Sequence, residues 1–89
     1  MAITDPLTGA YNRRHFMDRL HEELERSQRY GRHLALIFLD LDGFKQINDE
    51  FGHLRGDQVL KGIAEILLEN FREVDIVCRY GGDEFVVLL

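Results

Sequence analysis

Six consecutive apolar residues, Leu34-Ala35-Leu36-Ile37-Phe38-Leu39, run straight into Asp40-Leu41-Asp42-Gly43, and this stretch constrains the chain more than any other. The run does not alternate and is too short for a helix of its own. It reads as a strand over about 34–40 with both faces covered, and therefore a central one. Its abrupt end in acidic residues and glycine marks a turn.

The surrounding periodicities supply the neighbours. After a turn at Asp5-Pro6-Leu7-Thr8-Gly9, Asn12 is placed to cap a helix over about 12–30, with Phe16, Leu20 and Leu24 as its apolar stripe and Gly31 as its stop. A short helix over about 44–50 closes at Gly52. A longer one over about 56–70 presents Leu60, Ile63, Ala64, Leu67 and Phe71 on one face. A hairpin over about 76–89 completes the chain, with strands at 76–79 and 85–89 joined by Tyr80-Gly81-Gly82-Asp83. There the paired glycines are expected to take positive φ without steric cost. The expected class is a mixed α/β (α+β) fold in the order α-β-α-α-β-β.

Composition narrows the function. At 89 residues the chain makes one small domain, and such a domain buries only about 60 to 65% of its unfolded surface. Cys78 is the only cysteine, which excludes a disulfide framework and a cysteine-built zinc site. No apolar run approaches the roughly 20 residues that cross a bilayer, and the N-terminus has no basic region followed by an apolar one. The expected setting is therefore cytoplasmic and reducing. Eleven basic residues against sixteen acidic ones give a net charge of −5. That sign argues against a nucleic-acid backbone as partner. Small anionic ligands stay possible, because a metal or a helix N-terminus overrides global charge locally.

The chemistry concentrates in carboxylates. Asp40 and Asp42 stand where the apolar strand runs out, and Asp83 and Glu84 stand on a hairpin expected beside it. If the four acids converge, they repel one another unless a cation sits between them, and a hard divalent ion is the simplest choice. The alternative is that these residues cap turns, a common use of Asp. A calcium loop is excluded. Lys45 and Phe51 occupy the positions that need Gly and a bidentate Glu, and a strand stands where the entering helix should be. Cys78 reads as a small buried hydrophobe. His15, His21, His33 and His53 show no metal-ligand spacing. Arg13 and Arg14 read as structural, and Glu22, Glu23 and Glu25 as a solvated face.

Five blocks together resemble the N-terminal half of a GGDEF domain, the diguanylate cyclase family. They are Asp5-Pro6-Leu7-Thr8-Gly9 with Asn12-Arg13-Arg14; Asp40 to Lys45; Ile47-Asn48-Asp49 with Phe51-Gly52-His53; Gly56-Asp57 with Val59-Leu60; and Arg79-Tyr80-Gly81-Gly82-Asp83-Glu84-Phe85. The resemblance implies a ferredoxin-like, nucleotidyl-cyclase palm-type half-domain. It also implies condensation of two GTP into cyclic di-GMP with release of pyrophosphate. Carried onto this sequence, it makes Asp40, Asp83, Glu84 and the Leu41 carbonyl ligands of Mg²⁺ (or Mn²⁺), with Asp83 and Glu84 at the catalytic centre and Glu84 assisting deprotonation of a ribose hydroxyl. Asn48 and Asp57 address guanine, and the Phe44 and Lys45 amides meet phosphate near Gly82. Arg72 and Asp75 match an inhibitory product site, against which stands an ordinary solvated charge pair. These roles agree with the chemistry, since phosphoryl transfer needs positioning and charge neutralisation above all.

The family domain continues beyond the position of Leu89, and its remainder carries further phosphate-gripping cations and a neighbour for the 34–40 strand. Three expectations follow. The 89 residues by themselves do not turn over GTP efficiently; they act alternatively as a GTP or cyclic di-GMP binding module; and a homodimer covers the exposed strand edge, as in a self-assembling half-domain.

Overall fold

A computed structural model of the chain describes residues 2–89. Its elements run β1 (Tyr11–Asn12), α1 (Arg13–Tyr30), β2 (Leu36–Asp40), α2 (Phe44–Phe51), α3 (His53–Asn70), β3 (Ile76–Arg79) and β4 (Glu84–Leu88). The sheet order is β1-β3-β4-β2, with β1 parallel to β3 and the other pairings antiparallel. This is the mixed α+β class.

Each helix is defined by local chemistry. Asn12 has extended backbone at the head of α1 and its side chain accepts the His15 amide at 2.9 Å, satisfying one of the orphan donors of the first turn. Gly31, in the left-handed conformation, ends the helix. The structure starts α3 at His53 rather than near Gly56, because Gly52 alone separates α2 from α3. Gly56 therefore lies inside a helix, where glycine is costly. A Cβ at Gly56 would run into the Asn48 carboxamide of α2 and meet Phe44 Cζ at 3.3 Å. The missing side chain is what lets α2 and α3 pack this closely.

The sheet separates two apolar clusters. On one face α3 buries Leu60, Ala64 and Leu67 against Val77, Phe85 and Val87. On the other, Phe16 of α1 packs on Ile76, Cys78, Val86 and Leu88. Each large side chain so buried contributes about 1.5–3 kcal/mol by leaving water. The alternation along β4 is the direct cause: odd positions meet α3 and even positions meet α1.

Three expectations need correction. β2 is not covered on both faces; among the described residues it pairs with β4 alone, the open edge that the resemblance implied for these 89 residues. Ile37 and Leu39 face α3, but α1 packs over β1 and β3, so Leu36 and Phe38 on its side of β2 remain 54% exposed each. Leu24, expected in the buried stripe of α1, is also exposed. Finally, neither Gly81 nor Gly82 takes positive φ. Gly81 is needed for space instead, since a Cβ there would collide with the Glu84 carboxylate folded over it. β1 was not anticipated at all; two residues carry too little periodicity to read.

Candidate functional site

The register of β2 and β4 sets Asp40 directly opposite Glu84, on the face that α1 shares, and the Leu41 amide donates to the Asp83 carbonyl at 3.2 Å. Asp40, Leu41, Asp83 and Glu84 thus gather at one end of the sheet. Their carboxylates do not close into a cage. Among the described residues no three His, Cys, Asp or Glu side chains come near enough together to hold a metal ion, and Asp42 is exposed in the turn. The Glu84 carboxylate folds over Gly81. The donor set is nonetheless all oxygen, the chemistry that Mg²⁺ and Mn²⁺ take.

Beside these acids, α2 opens at Phe44 with no side-chain cap, so its first amides are left for an external acceptor. They border a cavity of about 350 Å³ lined by Asp40, Leu41, Asp42, Gly43, Phe44, Lys45, Gln46 and Asp83. An adjoining cleft of about 330 Å³ is lined by Phe44, Lys45, Asn48, His53, Asp57, Leu60, Arg79, Gly82 and Asp83. Asn48, Asp57, Phe44, Lys45, Gly82 and Asp83 are therefore brought together around one space. Asn48 Oδ1 is buried there and has no hydrogen-bond partner. A buried acceptor left unpaired costs about 1–3 kcal/mol.

Two residues of this cleft escaped the sequence reading. His53 shows no metal-ligand spacing, yet as the first residue of α3 it lines the wall. Arg79 holds the hairpin in shape: its guanidinium donates to the Gly82 carbonyl at 2.9 Å and to both Asp5 oxygens at 3.3 Å. Asp5 in turn accepts from the Thr8 amide at 2.9 Å and hydroxyl at 2.8 Å. Burial alone would raise the Asp5 pKa, but the Thr8 hydrogen bonds and the Arg79 charge outweigh it and hold the carboxyl below its ordinary value. The one available signal was that both residues stand in the quoted motif blocks.

A larger cavity, about 460 Å³, lies at the opposite end of β3 and is lined by Thr4, Gly9, Tyr11, Leu68, Phe71, Arg72, Glu73, Asp75 and Val77. Asp75 is not solvated. Its carboxylate accepts the Arg72 amide at 2.9 Å, which pulls its pKa below the usual value, and the Arg72 side chain, 79% exposed, pairs with it at 3.4 Å. Asp75 thus shapes the turn while Arg72 stays available at the rim.

With this geometry in view, the family comparison is decisive: the model for "Diguanylate cyclase, GGDEF domain" matches residues 2–89. The chain belongs to the GGDEF family. It is 54% identical over 88 residues to diguanylate cyclase DgcP of Pseudomonas aeruginosa, covering 99% of this chain and 13% of that protein. It is 45% identical over 89 residues to response regulator PleD of Caulobacter vibrioides, covering 100% of this chain and 20% of the relative. In structure it is similar to the GGDEF domain of DgcB from Caulobacter crescentus in complex with c-di-GMP, with a TM-score of 0.96, 36% identity, and 100% of this chain and 51% of that one covered. The GGDEF sequence here thus spans about half of a solved domain and a smaller share of the curated relatives. No helix among its described residues is long and apolar enough to cross a membrane.

Proposed function

We infer that this GGDEF chain carries the guanine and carboxylate half of a diguanylate cyclase site, in a protein that condenses two GTP into cyclic di-GMP and pyrophosphate in the cytoplasm. The cleft formed by Asn48, Asp57, Lys45, Gly82 and Asp83 is the observation that supports this reading. An Asp carboxylate accepts from the donor edge of guanine, and Asn addresses the adjacent acceptor. The uncapped first turn of α2 offers amides to phosphate. Asp40, Asp83, Glu84 and the Leu41 carbonyl would hold Mg²⁺ (or Mn²⁺), which would neutralise phosphate charge when bound.

The Lys and Arg side chains lining the cleft are Lys45 and Arg79, and Arg79 is committed to Asp5 and Gly82. A triphosphate is therefore weakly countered, and the 89 residues bind GTP without efficient turnover. Calorimetry with GTP, with and without Mg²⁺, tests the binding, and chromatography for cyclic di-GMP tests the turnover. Asp57→Ala is expected to abolish the GTP heat. Wild-type silence toward GTP would overturn the reading.

A second reading, binding of cyclic di-GMP without turnover, is favoured by the 460 Å³ cavity with Arg72 exposed at its rim. Guanidinium can fork onto phosphate or stack on guanine. Arg72→Ala is expected to remove cyclic di-GMP binding and leave GTP binding intact; unchanged binding of both would leave Arg72 as a turn residue only.

A further inference from the structure

His53 shares the 330 Å³ cleft with Asn48 and Asp57, and the turn before it fixes its place. Gly52 alone joins α2 to α3, at φ 88°, a left-handed value that glycine takes without steric cost. The chain is tied on both sides of this joint. The Gly52 amide donates to the Asn48 carbonyl at 2.9 Å, and the Gly56 amide donates to the Gly52 carbonyl at 3.2 Å. The first turn of α3 therefore starts against the last turn of α2, and His53 enters the cleft wall with Phe44 and Asn48. Asp57 follows four residues later in the same helix. Side chains at that spacing share a helix face with Cβ atoms about 5–6 Å apart, so His53 and Asp57 stand side by side along one wall. Their neighbour Arg79 spends its guanidinium on Asp5 and Gly82, whereas the His53 imidazole bonds to none of the described residues.

We propose that His53 is a further base-contacting residue of this site, its imidazole N–H donating to N7 of the guanine whose N1–H and N2–H donors Asp57 accepts. The proposal rests on the cleft being the guanine site and adds a second edge of the base to it. Guanine offers donors at N1 and N2, and acceptors at O6 and, next to it, N7. A carboxylate serves only the donors, and Asn48 addresses O6. N7 needs an N–H, and an imidazole ring always carries at least one. The other donors lining the cleft fit this task less well. Arg79 is held by Asp5 and Gly82, and Lys45 stands in the first turn of α2, where it also borders the cavity in which phosphate is expected. Contacts on two edges fix the rotation of the base in its own plane, which hydrogen bonds to one edge leave softer. His53 is thus a positioning residue for the nucleotide, and Asp57 remains the group that selects guanine by its donors.

Calorimetry of the 89-residue chain with GTP and with 7-deaza-GTP, in which a C–H replaces N7, tests the contact. The unmutated chain should bind 7-deaza-GTP about 2- to 10-fold more weakly, the contribution of one hydrogen bond. His53→Phe keeps a ring of similar outline and removes the N–H. It should weaken GTP binding by a similar factor and bind the two nucleotides equally. A merely structural loss would instead weaken both and keep their ratio. His53→Ala gives the same comparison should His53→Phe fail to fold. Equal affinity of the unmutated chain for the two nucleotides overturns the N7 contact and leaves the guanine cleft standing. So does a preference for GTP that survives substitution of His53. Silence toward GTP overturns the guanine site itself, and the contact with it.

Discussion

Gly56→Ala separates two opposing effects whose sizes can be worked out beforehand. Inside a helix, replacing Gly by Ala gains about 0.8–1 kcal/mol of helix propensity. In α3 the new methyl would enter space held by the Asn48 carboxamide, with Asn48 Cγ at 2.9 Å and Phe44 Cζ at 3.3 Å from it. Overpacking of that kind costs about 1–3 kcal/mol. The net expectation is a loss of up to about 2 kcal/mol, a fall in Tm of up to about 16 °C for a domain of this size. Displacing Asn48 also removes a wall of the cleft, so GTP binding should weaken together with stability. Thermal denaturation followed by circular dichroism measures the first effect and calorimetry the second. The cause is isolated by repeating the substitution in an Asn48→Ala background. Without the carboxamide the methyl has room, and Gly56→Ala should become stabilising by about 0.5–1 kcal/mol, a coupling that a double-mutant cycle reads directly. A Gly56→Ala effect that is the same with and without Asn48→Ala would refute the close-approach account.

Two further outcomes are expected. Since the folded-state pKa of Asp5 is depressed, its ionised form contributes stability that is complete above the unfolded value near 3.9 and disappears as pH falls through the folded one. Asp5→Asn should therefore flatten the acid limb of the stability profile and cost about 1–3 kcal/mol at neutral pH, because Arg79 loses its charged partner. An unchanged acid limb would exclude Asp5 as the titrating group. Burial pushes the Cys78 thiol up to about 12, so alkylation by iodoacetamide at pH 8 should be slow in the folded state and accelerate only on unfolding. Rapid modification of the native protein would contradict its burial.

How much of this was readable beforehand depends on how local the cause is. The caps of α1, the buried stripe of α3 and the apolar faces of β3 and β4 all arise from residues within a few positions of one another. Their spacing carries the information directly. The candidate site was legible for a related reason: Asp40, Asn48, Asp57 and Asp83 stand in short blocks of recognisable order. His53 and Arg79 were missed as site residues because nothing in their spacing says what they face.

The sequence by itself determined the element types, their order, the family and the residue chemistry at the end of the sheet. Tertiary structure decided the rest. It left one face of β2 open, although its unbroken apolar run reads as covered on both, because α1 packs over β1 and β3 and leaves Leu36 and Phe38 exposed. It joined Asp5 to Arg79 across 74 positions, and it gave Gly56 and Gly81 their purpose as space for Asn48 and Glu84. Periodicity records which face of an element is apolar. What occupies the space beside that face depends on contacts between distant segments, and those exist only once the chain has closed on itself.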